Sequence, residues 1–186
     1  AAQKTLKINS GNINALLVLG DLSYRNNDYK SAMKYYKNAE SYDKKTFQSA
    51  LRIAQVYEKT GKEKKAVDIY EKLLKTYNDC YIAYYKIALF NKSKEFAYLK
   101  KAIAINMNFK DAWIDLGRYA IENQNYSDAK KYLRNAYYID ENDFRYYYYQ
   151  GLVFKAKGLN QEAKYYFAKS HALNPEYELA KKELGI

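Results

Sequence analysis

Residues 110–143 read KDAWIDLGRYAIENQNYSDAKKYLRNAYYIDEND, and this stretch decides the fold. Its apolar residues fall at helical spacing in two runs, one around Trp113, Leu116 and Gly117, the other around Ala129, Leu133 and Ala136. Gln124-Asn125 separates the runs as a turn signal, and Asn125 with Asp128 matches a capping pair at the start of a second helix. The same 34-residue frame lies over residues 144–177 without a gap, and over residues 13–46 and 47–80 nearer the start. Position 4 of the frame holds Leu16, Ala50, Trp113 and Tyr147, and position 7 holds Leu19, Ile53, Leu116 and Gln150. Position 8 is small (Gly20, Ala54, Gly117, Gly151), and position 20 is always alanine (Ala32, Ala66, Ala129, Ala163). Position 24 is Tyr36, Tyr70, Leu133 and Phe167, and position 27 is Ala39, Leu73, Ala136 and Ser170.

A period of this length is the signature of stacked helical hairpins. Small residues at positions 8 and 20 let the two helices of a hairpin approach closely, and large residues at 4, 7 and 24 fill the flanks. Neither helix can bury its apolar face alone, so successive hairpins must share a core. Turn signals at Asn26-Asn27-Asp28, Gly61, Gln124-Asn125 and Gly158 fall between the paired runs.

Trp113, Leu116 and Gly117 spell W-x-x-L-G, and Asn174-Pro175 supplies a closing turn. On these residues, and over nearly its whole length, the chain resembles the tetratricopeptide repeat family. The resemblance implies an all-α fold, a right-handed superhelical solenoid of antiparallel helix hairpins. It also implies a non-enzymatic scaffold that binds a protein or an extended peptide along its concave face. The expected layout is a single array over residues 1–186. Residues 1–12 end a preceding repeat, the full repeats are 13–46, 47–80, 110–143 and 144–177, and residues 81–109 form a shortened third repeat. Residues 175–186 make a capping helix or the start of a further repeat, with Pro175 at the first helical position and Gly185 at the end. Because Leu6–Ser10 matches the tail of a second helix, the chain is expected to be a fragment of a longer protein.

The third repeat has 29 residues, with the deletion around Asn91–Glu95. Its helices must be shorter or its turn tighter. Its position-20 alanine is missing or replaced by Ala97, and a local change in superhelical curvature is expected, the alternative being a degenerate repeat that the array tolerates.

In this family the first helices line the concave face, through positions 2, 5, 6, 9, 12 and 13. Carried over, these give a partner-binding set. The first repeat contributes Leu17, Asp21, Tyr24 and Arg25, and the second Arg52, Gln55 and Lys59. The third contributes Tyr85, Lys86 and Leu89, and the fourth Ile114, Arg118 and Glu122. The fifth contributes Arg145, Tyr148, Tyr149 and Leu152. Tyr and Arg are the residue types that anchor protein interfaces. In the run Tyr146–Tyr149, Tyr147 takes the core position, Tyr148 and Tyr149 face the groove, and the bulky Tyr146 should spread two repeats or reach solvent.

The net charge is +11, yet the full set of groove positions carries seven basic and five acidic residues, a net of +2. The excess lies on second helices and turns, where lysines make a solvated face. Asp111, Asp115 and Glu122 interrupt any basic stripe, so nucleic acid is not the expected partner and an acidic-polymer binder is the weaker alternative. A structural spacer that self-associates, or meets partners through its edges or convex face, is the other alternative. The residue pairs that clamp a C-terminal carboxylate in some members of the family are absent at positions 5 and 9.

No cofactor or metal is expected. The single histidine, His171, and single cysteine, Cys80, make no typical transition-metal set, and no glycine-rich phosphate loop occurs. One cysteine allows no intrachain disulfide and suits a reducing compartment, the cytoplasm ahead of the periplasm. No apolar run is long enough for membrane insertion.

Overall fold

A computed structural model describes residues 2–42 and 47–186, the side chains of residues 6–8 apart. Among the described residues the chain is all-helical. It divides into two compact units, residues 1–91 and 92–186. The first holds α1 (Ala2–Ile8), α2 (Ile13–Arg25), α3 (Tyr29–Tyr42), α4 (Gln48–Lys59), α5 (Glu63–Thr76) and α6 (Tyr81–Phe90). The second holds α7 (Glu95–Ile105), α8 (Lys110–Glu122), α9 (Tyr126–Ile139), α10 (Phe144–Ala156), α11 (Asn160–Leu173) and α12 (Glu178–Leu184). The last residues of the first full repeat, 43–46, lie outside the described residues.

Within each full hairpin the expected packing is found. A methyl group placed on Gly20 would meet the Tyr36 ring at 2.3 Å, and one on Gly117 would meet Leu133 at 2.5 Å. Position 8 of the first helix is therefore the seat of the position-24 side chain of the second. Ala32, Ala66 and Ala129 are fully buried where the helices cross.

The four full hairpins close with one turn chemistry. Asn27, Gly61, Gln124 and Gly158 all take the left-handed conformation, with φ between 58° and 74°. In each, that residue's N–H reaches back three residues and the next N–H reaches back five, as in Asn27 to Tyr24 and Asp28 to Ser23. This is the Schellman closure, which satisfies carbonyls at the end of the first helix. Asn125 then starts α9 as expected: its side chain accepts from the Asp128 N–H at 3.2 Å and donates to the Asp128 carboxylate at 2.8 Å.

The third repeat departs from this plan in a definite way. α6 has 10 residues and α7 has 11, where the other first helices have 12–13 and the second helices 14. Each helix has lost about one turn, and the link between them, residues 91–94, is one residue longer than elsewhere rather than tighter. Counting back from Ala102 at position 27 puts Leu99 at position 24 and Glu95, not Ala97, at position 20. Ala97 is exposed, while Glu95 is 2% exposed. The expected alanine is thus replaced by a buried carboxylate.

The C-terminal helix also starts later than expected. Asn174-Pro175-Glu176 form a turn, closed by the Glu176 N–H on the Asn174 side chain at 3.2 Å, and α12 begins at Glu178. Pro175 is a turn residue and not the first residue of a helix. Gly185 ends α12 in the left-handed conformation, as expected.

Candidate protein-binding face

Polar groups along the first helices are organised by a repeated device. In the first unit, Arg52 of α4 grips the Asp21 carboxylate of α2 through Nε at 2.7 Å and Nη2 at 3.2 Å. The Tyr36 hydroxyl, from position 24 of α3, donates to the same carboxylate at 2.8 Å. One repeat later, the Tyr70 hydroxyl of α5 donates to Glu58 of α4 at 2.6 Å, and Lys86 of α6 reaches Glu58 at 2.8 Å. An acid on one first helix is thus held by a tyrosine of its own hairpin and a cation of the next. Burial raises the Asp21 pKa, but the hydrogen bonds from Arg52 and Tyr36 outweigh it and leave the carboxyl below its ordinary value. Burial and the facing carboxylates push both tyrosine hydroxyls far above their usual range, so they remain donors.

In the second unit the pairs are denser. Arg118 of α8 donates to Glu95 of α7, to Asp115 at 3.3 Å and to Glu122 at 2.6 Å. Arg145 of α10 bridges Asp111 of α8 and Asp143, each at 2.6 Å. Asp143 also takes Lys110 at 2.8 Å and caps α10 by accepting the Arg145 N–H at 2.9 Å. Burial opposes its charge, yet the hydrogen bonds from Arg145 and Lys110 bring its pKa down to about 2. Lys155 of α10 reaches Glu183 of α12 at 2.6 Å.

These contacts revise the expected partner-binding set. Arg52, Lys86, Arg118, Arg145 and Asp21 are spent on ion pairs within the fold, and Glu122 serves Arg118. Leu17 and Ile114 are core residues, at 6% and 1% exposure. Tyr148 is buried against Phe167 at 5.8 Å and Tyr177 at 5.2 Å, between its own hairpin and the start of α12. Tyr149 and Leu152 pack on the same cluster. Tyr146 does not stand out in solvent: it is half-buried, its ring lies 4.8 Å from Tyr137 of α9, and burial pushes its hydroxyl up to about 12. Tyr147 is buried, as expected for position 4. Tyr24 is half-buried against Tyr29. Gln55 and Tyr85 are half-buried, while Leu89 stays 41% exposed.

What stays accessible is concentrated in the first unit. Every acid at the groove positions is in an ion pair, and the basic excess of +2 falls on Arg25 and Lys59. Both are exposed, both stand at position 13, and among the described residues neither has an ion-pair partner within 4.0 Å. Beside Arg25, Val18 and Leu22 are 49% and 50% exposed at helical i, i+4 spacing on α2. Sequence reasoning missed Glu95 and Asp143 as the anchors of the second unit, and the hydroxyl role of Tyr36 and Tyr70. Registering Glu95 at position 20 was the available signal for the first, and tyrosine instead of leucine at position 24 for the last two.

Two family profiles match the sequence, anaphase-promoting complex, cyclosome, subunit 3 over residues 1–73 and tetratricopeptide repeat over residues 114–178. The chain belongs to the tetratricopeptide repeat family. Solved structures with this fold superpose over nearly all of it. PilW, a type IV pilus biogenesis factor, matches with a TM-score of 0.76 at 21% identity, covering 98% of this chain and 87% of its own. YrrB, a tetratricopeptide repeat protein with an unusual peptide-binding site, gives 0.68 at 19% identity, covering 100% and 98%. MamA gives 0.67 at 23% identity, covering 94% and 96%. No curated protein sequence matches the chain. No helix among the described residues is long and apolar enough to cross a membrane.

Proposed function

We propose that this tetratricopeptide repeat chain is a protein-interaction scaffold whose partner lies across the first helices of the first unit. The observation that carries the reading is the residual chemistry of that face. Arg25 and Lys59 are its unpaired cations, and Val18 and Leu22 form an exposed apolar stripe beside Arg25. A protein segment with acidic groups spaced to meet both cations, and an apolar residue between, fits this arrangement. The ion pairs Asp21–Arg52 and Glu58–Lys86 fix the helices that carry it, so little ordering is needed on binding. Peptides selected on the immobilised chain should lose at least tenfold in affinity to a Val18→Asp/Lys59→Glu variant. Equal affinity for wild type and variant would remove the face from consideration.

For the second unit, we infer a structural role in holding successive hairpins together. Its groove-position charges are consumed internally, and Tyr148 is covered by residues leading into α12.

A further inference from the structure

Position 4 of the repeat has a regular companion. In the fourth repeat the Trp113 ring lies 6.1 Å from Tyr132, and in the fifth the Tyr147 ring stacks 6.4 Å from Tyr166. Tyr132 and Tyr166 both stand at position 23. The position-4 rings also have a polar end. Trp113 Nε1 donates to the Met107 carbonyl at 2.7 Å, and the Tyr147 hydroxyl to the Glu141 carbonyl at 2.8 Å, six residues back in each case. In these two hairpins the slot on the second-helix side therefore holds a large ring.

In the second repeat the same two positions hold Ala50 and Ile69. There the first unit has a pocket of about 440 Å³, walled by α3 and α5 and floored by α4, and both residues line it. Leu73, larger than the Ala or Ser of the other repeats at position 27, fills only part of the space. Tyr57 also lines a second pocket of about 350 Å³, together with Met33 and Tyr29 of α3. The two together border α3 from Tyr29 to Glu40, about 16 Å at the usual rise per residue, as a trough with Tyr57 in its wall. Its floor is apolar. Among the described residues its rim carries Lys37 and Lys72 at one end and Lys30 and Lys62 at the other, against a single acid, Glu40.

We propose that this trough is a docking site for an acidic segment of a partner protein that inserts an aromatic side chain into the slot left by Ala50. Two features select that occupant. The slot stands where the fourth and fifth repeats supply a ring themselves and is large enough to take one, and an aromatic side chain buries about 150–250 Å² on entering such a slot. The rim is basic by four lysines to one glutamate, so acidic residues on either side of the ring match it and basic ones are repelled. The slot is distinct from the face proposed above, because Ala50 lies on the opposite side of α4 from Lys59.

The test uses two peptide libraries panned on the intact chain, both with random acidic-biased flanks, one with a fixed central Trp, Tyr or Phe and the other with a fixed Ala. Enrichment of the aromatic library only is expected. A selected aromatic peptide is then titrated, by fluorescence anisotropy of an attached dye, against wild type and three variants. Ala50→Trp restores the ring found in the fourth repeat and should abolish binding, at least a twentyfold loss, with an unchanged or higher melting temperature. Lys37→Glu/Lys72→Glu should weaken binding at least tenfold, and added salt should weaken the wild-type complex. Val18→Asp/Lys59→Glu should bind as wild type, which separates this site from the first-helix face. Wild-type affinity in Ala50→Trp, or equal enrichment of both libraries, would overturn the proposal. So would self-association of the chain that Ala50→Trp abolishes, because the slot's occupant would then be a second copy.

Discussion

Glu95 and Arg118 offer a sharp test of how the shortened repeat is held. The Glu95 side chain is 3% exposed and that of Arg118 19%. Removing one partner of a buried ion pair costs about 3–5 kcal/mol, because the other charge stays in a poor solvent. In Arg118→Leu, Lys92 still reaches Glu95 at 3.1 Å but is itself 73% exposed, so the expected loss is about 2–3 kcal/mol, below the full range. Glu95→Ala is different. It removes the buried acid, leaves Arg118 with Asp115 and Glu122, and installs the residue that position 20 carries in every other repeat. Its cost should be no more than about 1 kcal/mol. The double variant should then be more stable than Arg118→Leu alone, with a coupling of about 1.5 kcal/mol. Trp113, the only tryptophan, sits on α8, the helix that carries Arg118, so its fluorescence in a urea titration reads this unit directly even if the array does not unfold in one step. The pair has a pH signature too. Burial raises the Glu95 pKa, but the hydrogen bonds from Arg118 and Lys92 prevail and hold it below its ordinary 4.5. A depressed carboxyl stabilises the fold above that value and ceases to as pH falls through the folded pKa. Wild type should therefore lose stability below pH 4.5 more steeply than Glu95→Ala. A double variant weaker than Arg118→Leu, or parallel acid titrations, would refute the assignment.

The same titrations check three other expectations. Gly117→Ala puts a methyl 2.5 Å from fully buried Leu133, so overpacking of about 1–3 kcal/mol should outweigh the helix-propensity gain of about 0.5–1 kcal/mol, and the urea midpoint should fall. Tyr70→Phe removes a donor to Glu58 without changing the ring, and a loss of about 1.5–3 kcal/mol is expected by far-UV circular dichroism, the figure for a bond to a charged group. Asp143→Asn should cost about 1–3 kcal/mol at neutral pH, because Lys110 and Arg145 each lose one partner and keep another. Since the Asp143 pKa is lowered from 3.8 to about 2, wild type alone should show a further stability loss as pH falls from 3.8 through 2 in thermal melts.

The hairpins, their turns and their core were legible because they obey spacing rules that act on each residue separately. Gly20, Gly117 and Gly151 at position 8 are read from size, and Gly61 and Gly158 from the one backbone conformation they tolerate best. The groove was less legible. The family's concave positions do bring Asp21, Arg52, Glu58 and Lys86 together, but a position list cannot say whether a charge is met by a neighbour or offered to a partner. That depends on the reach of side chains between repeats, which is a three-dimensional property. Tyr148 failed for a related reason: whether a first-helix residue is covered depends on the next helix, and α12 follows a turn that pattern reading had taken into the helix.

The many tyrosines can be judged on the same footing. A hairpin stack is rich in half-buried positions at the edges of its core, where an apolar ring must meet both packed side chains and a polar group. Tyr36, Tyr70 and Tyr147 each bury the ring and give the hydroxyl to a carboxylate or a carbonyl. Phenylalanine would pack equally well at those sites and leave Asp21 or Glu58 short of a donor. Tyrosine count is therefore weak evidence for a partner surface here, because the fold itself uses the hydroxyls. The stronger evidence comes from places where the repeat's own rule is broken. Glu95 breaks it by adding a charge that Arg118 answers within the chain, and Ala50 breaks it by omitting a large side chain that no described residue lining the slot replaces. A broken rule that is answered internally is structure, and one left unanswered is where a partner should be sought.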